Sequence, residues 1–469
     1  MYTQTNDLRD NAKRFAAIVG PERNFDIIEK RLTVAGQAAQ IYVIDGFAKD
    51  ELLEKIIEYM IKLKSSDLTD NAQDFAASLP YVEGNFRRNV KEAVNDFMMG
   101  VTCLIIDGYA GYFMLDCRTY PARSVSEPWK NRVLRGSRDG FVETLVDNVA
   151  MIRRRVRTPK FSVETMSAGY LSHTDIAFAY IQGKADMTLL EKLKERVGKI
   201  GVEALTMNIE SLAEVLLEGP YINPFPKFKY SERPDSSAAA LFDGNIVILV
   251  DNSPAVLIVP TTIFDVSEEA DDYYFPPLTG TYIKLTRYMI SIVSLIMTPL
   301  WVVFLNSPQY TPKWLEFVLL TEQNSTVPVI LQLIILEFCI DGLRLAAVNT
   351  PTLLSTPLSV IAGIVVGEYA VSSGWFDSEC MLYMAFVTIG TYTQASYELG
   401  YAIKFFRMIT LILSHFFGFW GFGIGLGAFI LCAAFNKTIS GKSYIYPLIP
   451  FNGKMLARRI FRLRLGKEK

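Results

Sequence analysis

The side chains best placed to do chemistry in this sequence are charged groups in apolar surroundings. Glu337, Asp341 and Arg344 fall at spacings of four and three within the apolar stretch 327–347. Those spacings put all three on one face of a helix. Glu368 stands alone in the apolar stretch 355–373, with no basic residue nearby in its own segment. A charged group at mid-membrane is expensive and normally faces protein, ions or water. Rings of carboxylates in such a place favour cations. One reading of these residues is a polar face that lines a pore or a subunit contact. The other reading of 327–347 is an interfacial helix whose charged face meets lipid headgroups. Pairing of Arg344 with Asp341 or Glu337 would make those two carboxylates structural. Thr391 and Gln394, with Thr388, Thr393 and Ser396, add polar groups to 379–398. Such groups can line water, but more often they hold helices together.

Other chemistries find little support. The chain has no GxxxxGK[ST] phosphate loop, no HExxH and no GxSxG, so no catalytic constellation is expected. Its two histidines, His173 and His415, are far apart, and its five cysteines include no CxxC pair. No metal site, disulfide framework or cofactor is therefore expected. The glycines of Trp420-Gly421-Phe422-Gly423-Ile424-Gly425-Leu426-Gly427 lie in an apolar segment and point to close helix packing. Arg153-Arg154-Arg155 ends a predicted helix, where the dipole favours positive charge. The formal net charge of −2 gives no bulk attraction for nucleic acid.

The elements that position these residues divide by composition. Charges occur at ordinary globular density before Thr281 and become rare between Tyr288 and Asn436, which sets a boundary near Gly280. The expected fold is a soluble α/β N-terminal region of two subdomains followed by an α-helical transmembrane bundle. Residues 1–24 are mostly polar, the composition of a poorly ordered segment. The first subdomain, 25–122, takes a strand at 39–44 and a helix at 50–63 whose apolar face carries Leu52, Leu53, Ile56, Ile57, Met60 and Ile61. It continues with a helix at 86–99 and two apolar runs, 101–106 and 109–115, around the hairpin signal Asp107-Gly108. The second subdomain, 123–280, takes a helix at 139–155 with Phe141, Leu145, Val149 and Ile152 on its buried stripe. Strands at 174–182, 245–250 and 255–259 and a helix at 187–199 follow. Residues 219–226 read as a Pro-rich connector. No long-period repeat is visible.

The helical domain, 281–452, holds five apolar segments near 285–305, 327–347, 355–373, 379–398 and 402–435. Each approaches or exceeds the roughly 20 residues that cross a bilayer core. No signal peptide precedes the N-terminal region, which is therefore expected in the cytoplasm. Lys284 and Arg287 at the entry of the first segment, and Lys404 and Arg407 after the fourth, suit the inner side. The tail, 453–469, carries Lys454, Arg458, Arg459, Arg462, Arg464, Lys467 and Lys469 against Glu468. Such a tail reads as cytoplasmic and facing the lipid bilayer. Five simple crossings would strand it outside. Either one segment is re-entrant or interfacial, or the long Gly-rich last segment doubles back.

Arg135-Gly136-Ser137-Arg138-Asp139-Gly140-Phe141-Val142-Glu143 and Ile152-Arg153-Arg154-Arg155 resemble the A-subunit family of bacterial spore germinant receptors. Thr174-Asp175-Ile176-Ala177, Asn223-Pro224-Phe225-Pro226 and Ser231-Glu232-Arg233-Pro234-Asp235 continue the resemblance. Asp243-Gly244, Val250-Asp251-Asn252-Ser253-Pro254 and Asp271-Asp272-Tyr273-Tyr274 extend it to the first membrane helix. It spans roughly residues 25 to 452. Arg118-Thr119-Tyr120-Pro121, Ser126-Glu127-Pro128 and Tyr446-Pro447-Leu448-Ile449-Pro450-Phe451-Asn452 look more like the family's stage V sporulation AF type than a classical receptor subunit. The resemblance implies a multi-pass protein of the spore inner membrane, active in germination. Classical A subunits work with a transporter-like B subunit and a C-subunit lipoprotein, and are thought to oligomerise into a channel for monovalent cations. The AF type is associated with the dipicolinate-release channel. The implied function is a subunit of a homo-oligomeric ion channel that works beside other germination membrane proteins. The alternative is a non-conducting scaffold that organises those proteins. No enzymatic residue is carried over.

Overall fold

A computed structural model describes residues 6–69, 71–79, 83–119, 133–217, 223–318, 325–349 and 363–463. They fall into two compact units, one formed by Met1–Gly219 with Phe228–Pro260, the other by Pro220–Lys227 with Thr261–Lys469.

The first unit opens with a helix that the polar composition of residues 1–24 hides. Helix α1, Leu8–Val19, is capped by Asp7, whose side chain accepts from the Arg9 amide, and ends at Gly20 with φ 63°. Its spacing still delivers Ala12, Phe15 and Val19 to the core. Strands β1 (Ile27–Val34), β2 (Gln37–Ile44), β3 (Gly84–Arg87), β4 (Thr102–Ile106) and β5 (Tyr112–Leu115) form an antiparallel sheet in the order β1-β2-β4-β5-β3. Successive side chains of a strand point to opposite faces. In β2 and β4, Tyr42, Ile44, Cys103 and Ile105 meet α1 and α4 (Val90–Met98) on one face. Ile41, Val43, Leu104 and Ile106 meet α2 (Asp50–Lys62) and α3 (Ala72–Ser78) on the other. Both faces are covered, so these strands read as apolar runs without alternation. Residues 86–87 belong to β3, so the expected helix at 86–99 starts four residues later, at Val90, behind its cap Asn89. The Asp107-Gly108 signal does join an antiparallel pair, with Gly108 at φ 92°.

The second sheet uses the same plan. Strands β6 (Phe161–Ala168), β7 (Thr174–Ile181), β8 (Lys229–Ser231), β9 (Ile246–Val250) and β10 (Val256–Val259) run β6-β7-β9-β10-β8, again antiparallel throughout. Helices α5 (Leu145–Arg153) and α8 (Pro234–Phe242) share a core with it that includes Phe141, Leu145, Val149 and Ile152. Helices α6 (Met187–Gly198) and α7 (Ile209–Leu216) bury Leu189, Leu190, Leu193 and Val197, and Ile209, Leu212 and Leu216. In both sheets, position one pairs with two, two with four, four with five and five with three. In each, a helix precedes the first strand, two helices divide the second strand from the third, and one helix divides the third from the fourth. The fold is thus repeated where the sequence shows no repeat.

Arg153 joins the two sheets. Its Nη2 donates to Asp26 Oδ1 at 2.7 Å, and its guanidinium lies 4.8 Å from the centre of the Phe161 ring. Asn24 Oδ1 accepts from the Val163 amide at 2.9 Å. Arg155 pairs with Asp139 at 2.8 Å, while Arg154 is exposed. The arginine run is therefore chiefly a joint between packed elements and not a solvated helix end.

The second unit begins with α9 (Ile263–Ser267), whose cap Thr262 forms a reciprocal pair of hydrogen bonds with Asp265, and the short α10 (Asp271–Tyr274). Then come α11 (Pro277–Asn306), α12 (Val329–Asn349), a π-helical segment Gly363–Tyr369, α13 (Ser378–Tyr392), α14 (Tyr397–Phe435) and α15 (Gly453–Ile460). Residues 355–362 of the expected third apolar segment lie outside the described residues. Among the described residues, two helices, α11 and α14, are long and apolar enough to cross a membrane.

Helix α14 has 39 residues. Run straight, it would be about 58 Å long at 1.5 Å per residue, nearly twice a bilayer core of about 30 Å. It does not run straight. Gly418 has φ 57° and ψ −134°, and the chain reverses there. A Cβ on Gly421 would lie 1.9 Å from the Leu413 carbonyl oxygen, and one on Gly425 would lie 2.4 Å from Thr410 Oγ1. The rings of Phe406 and Phe429 are 5.3 Å apart across the same contact. The last apolar segment is a tight hairpin of two helices, the arrangement in which the long Gly-rich segment doubles back.

Candidate functional site

Polar groups inside the helical unit gather where α12, α13 and α14 meet. A spacing of three puts Lys404 and Arg407 on one face of α14, and both side chains are buried. Glu337 on α12 accepts from Arg407 Nη2 at 2.6 Å and lies 3.0 Å from Lys404 Nζ. Lys404 also bonds Asp341, one turn further along α12. Arg407 Nη1 reaches Ser294 Oγ on α11 at 3.2 Å. Two acids and two bases thus neutralise each other across the helix contact. Arg344 takes a different partner. Its guanidinium stands 4.7 Å from the centre of the Tyr392 ring and 5.7 Å from that of Tyr401, a cation–π arrangement that suits a partly desolvated arginine.

Glu337, Asp341, Arg344, Thr391, Lys404 and Arg407 line a cavity of about 10 Å³. That is room for roughly one water. Thr391 donates back to the Val387 carbonyl of its own helix at 3.0 Å. Gln394 lies outside the cavity lining, accepts from Ser291 Oγ of α11 at 3.0 Å and donates to the Gly390 carbonyl at 3.0 Å. Its role in one chain is to tie α13 to α11. Glu368, on the π-helical segment, is exposed. Of the six residues singled out from sequence, four therefore converge and two stand apart. Asp341 and Arg344 do not pair with each other in the way their spacing suggested. Their partners come from other helices.

Lys404 and Arg407 are the members that sequence reasoning missed. They read there as charges of an inner loop, whereas the structure buries them in the bundle. Their three-residue spacing inside an apolar segment, matched by two acids on α12, was the available signal. Lys284 and Arg287 are likewise not loop charges. Lys284 Nζ bonds Glu268 at 2.8 Å, and Arg287 bonds Asp272 and Glu269, each at 2.8 Å. Arg459 from α15 completes this second cluster, 2.7 Å from Asp265 and 3.3 Å from Glu268. Burial, with Glu268 beside it, pushes the Tyr273 hydroxyl well above its ordinary pKa. A third knot lies at the opposite end of α11, where Asp377 accepts from Gln332 Nε2 and Ser325 Oγ, each at 2.8 Å.

Among the described residues, no group of three or more His, Cys, Asp or Glu side chains could hold a metal ion. The arrangement offers ionic contacts between helices and charged groups at the helix surface.

Two antiparallel sheets followed by apolar helices with an internal ionic cluster define a protein with a globular N-terminal part and a helical C-terminal part. A family model described as Bacillus/Clostridium GerA spore germination protein matches residues 14–469. The chain is 33% identical over 448 residues to stage V sporulation protein AF of Bacillus subtilis (strain 168), covering 95% of this chain and 90% of that one. It is 26% identical over 446 residues to spore germination protein KA of the same organism, covering 93% and 81%. It is also 29% identical over 421 residues to an uncharacterized membrane protein, YfkQ, covering 89% and 81%. A solved structure, the N-terminal domain of the A subunit of the Bacillus megaterium spore germinant receptor GerK3, aligns at 24% identity. That alignment covers 55% of this chain and 96% of that one, with a TM-score of 0.43. This chain belongs to the GerA spore germination protein family.

Proposed function

We propose that this chain is a multi-pass subunit of a homo-oligomeric ion channel in the spore inner membrane, contributing to ion release during germination. The observation that carries the reading is the exposed carboxylate of Glu368 in the helical unit. The second half of α12 leaves Gly342, Leu345 and Val348 exposed, with Asp341 and Arg344 half-buried among them. Glu368 is exposed as well. Asp341 already has a partner in Lys404, whereas in hydrocarbon the exposed Glu368 carboxylate needs water, ions or a partner from outside. Copies arranged around an axis would supply these and place Glu368 in a ring suited to cations. The cavity within one chain holds about one water, so the conducting path in this reading runs between copies. The N-terminal unit lies in the cytoplasm, and other germination membrane proteins are the partners. Neither nucleic acid nor a catalytic role enters the reading.

A second reading has an observation in its favour. Glu337 is paired twice inside the bundle, as a non-conducting scaffold would require. Ion flux from vesicles containing the purified full-length protein separates the two. Cation flux is expected, and Glu368→Gln should lower it or reduce its selectivity while the assembly keeps its size. An assembled protein that passes no ions would favour the scaffold. Unchanged flux and selectivity in an assembled Glu368→Gln variant would remove Glu368 from the path.

A further inference from the structure

Helix α15 carries a charge pattern that the helical unit does not use up. Lys454 and Arg458, four apart, share a face, and Arg462 continues the spacing just past the helix end. Arg459, roughly a quarter-turn away, is the one that bonds Asp265 and Glu268. The others differ from it. Nε of Arg458 and Nη1 of Arg462 are shielded from solvent yet find no acceptor among the described residues. No phosphate oxygen reaches those two shielded atoms, but both residues are only half-buried, their guanidinium groups form no ion pair among the described residues, and phosphate oxygens match the forked geometry of the parts left open.

The place is equally specific. The Arg462 amide donates to Thr281 Oγ1 at 3.1 Å, so α15 ends beside the first turns of α11, one of the two helices able to cross a membrane. A Cβ on Gly280 would fall 2.9 Å from Arg462 Cδ, so the arginine stem lies against the start of that helix. Large apolar side chains flank the basic stripe and are open to the surroundings: Phe451 is 75% exposed, Phe461 47% and Leu463 45%. A short helix with cations that form no ion pair among the described residues, exposed aromatic groups and a position at the start of a helix long and apolar enough to span has the features of an interfacial helix.

We infer that α15 binds the phosphate of an anionic phospholipid through Arg458 and Arg462, with Phe451, Phe461 and Leu463 set in the adjoining acyl boundary. The inference rests on the membrane placement proposed above. The apolar flank selects a lipid over free phosphate, which would gain nothing from it.

Native mass spectrometry of the full-length protein in detergent, titrated with phosphatidylglycerol, tests the site. The wild type should bind phosphatidylglycerol in clear preference to phosphatidylcholine, and millimolar inorganic phosphate should not displace it. Each removed cation near a membrane surface is worth about fivefold in binding, so Arg458→Gln with Arg462→Gln should weaken binding about 25-fold. Arg458→Lys with Arg462→Lys keeps the charge but loses the forked geometry, so its affinity should fall between those of the wild type and the Gln variant. Equal binding of phosphatidylglycerol by wild type and the Gln variant would overturn the proposal, as would displacement of the lipid by phosphate. Should the Gln variant fail to fold, equal wild-type affinity for the two lipids would overturn it without the variant. Flotation with neutral vesicles separates this from the membrane reading. The wild type and both variants should float, and failure of the wild type to float with any vesicle would sink the membrane placement itself.

Discussion

Removing one partner of a buried ion pair leaves the other charge where nothing solvates it, at a cost of about 3–5 kcal/mol. The side chains of Arg153 and Asp26 are each 1% exposed, and Arg153 Nη1 already lacks an acceptor among the described residues. Asp26→Asn should therefore lower the stability of the N-terminal unit by that amount, seen as a lower first transition in thermal unfolding of the full-length protein. A near-wild-type melt would mean the pair is dispensable. Asp139 sets a contrast in both size and pH dependence. Burial pushes its carboxyl up, but hydrogen bonds from Ser137 and Arg155 outweigh that and hold it below its ordinary value. A depressed acid stabilises the fold above its unfolded pKa of about 3.9. That contribution is lost as pH falls through the lower folded value. Asp139→Asn should thus cost stability at neutral pH and flatten the acid limb of a stability–pH profile below about pH 4. An unchanged acid limb would assign the effect elsewhere. The sequence placed these arginines at a helix end but could not say which acids they would meet. Asp26 and Arg153 lie 127 positions apart, and only the packing of two sheets brings them together.

At the scale of elements, the two halves of α14 are held together by an absence of side chain at two positions. Ala at Gly421 would put its Cβ 1.9 Å from a backbone carbonyl oxygen, which cannot rotate away. Overpacking of this kind costs about 1–3 kcal/mol. Gly423 has nothing within 4 Å of its virtual Cβ, so Ala there should be neutral or stabilising by up to about 1 kcal/mol, because it lowers the entropy lost on forming a helix. Thermal unfolding of the two variants in the same detergent should show opposite signs. Equal melts would mean that the hairpin does not pack as described. The glycine run was legible in the sequence as a packing device, and Gly421 and Gly425 pack in that way, whereas Gly423 and Gly427 face open space. The reversal at Gly418 was legible only as one of several ways to resolve an odd number of apolar segments. Helix α1 was not legible, because its buried residues are few and spaced among charges. Strand β6 was missed because its outer half alternates Glu164, Thr165, Met166 and Ser167, with no apolar run to mark it.

At the scale of the whole chain, the helical unit fixes which segments share an end. The Arg459 contacts with Asp265 and Glu268 put α15 beside α9 and the start of α11. The opposite end holds Asn306, whose side chain reaches the His415 carbonyl at 3.4 Å near the hairpin turn, and Ser325, which bonds Asp377. A chain that reverses at Gly418 returns its tail to the end where α11 began. The basic residues flanking the apolar segments are not free loop charges, since Lys284, Arg287, Lys404 and Arg407 all serve internal pairs. Charges consumed by internal partners have little left with which to hold a loop on the inner side. Lys454, Arg458 and Arg462, which form no ion pair among the described residues, keep that role. We therefore predict that the tail and the α9–α10 segment face the cytoplasm, and that residues around Ser373 and Gly418 face the other side. The test is a single cysteine at Lys454 or at Ser373, in a chain whose five native cysteines are replaced, labelled in intact cells by an impermeant thiol reagent. Ser373→Cys should label without permeabilisation and Lys454→Cys only after it. The reverse pattern would invert the orientation. Labelling of both from outside would contradict the paired ends, and with them the hairpin at Gly418 that returns the tail to its starting side.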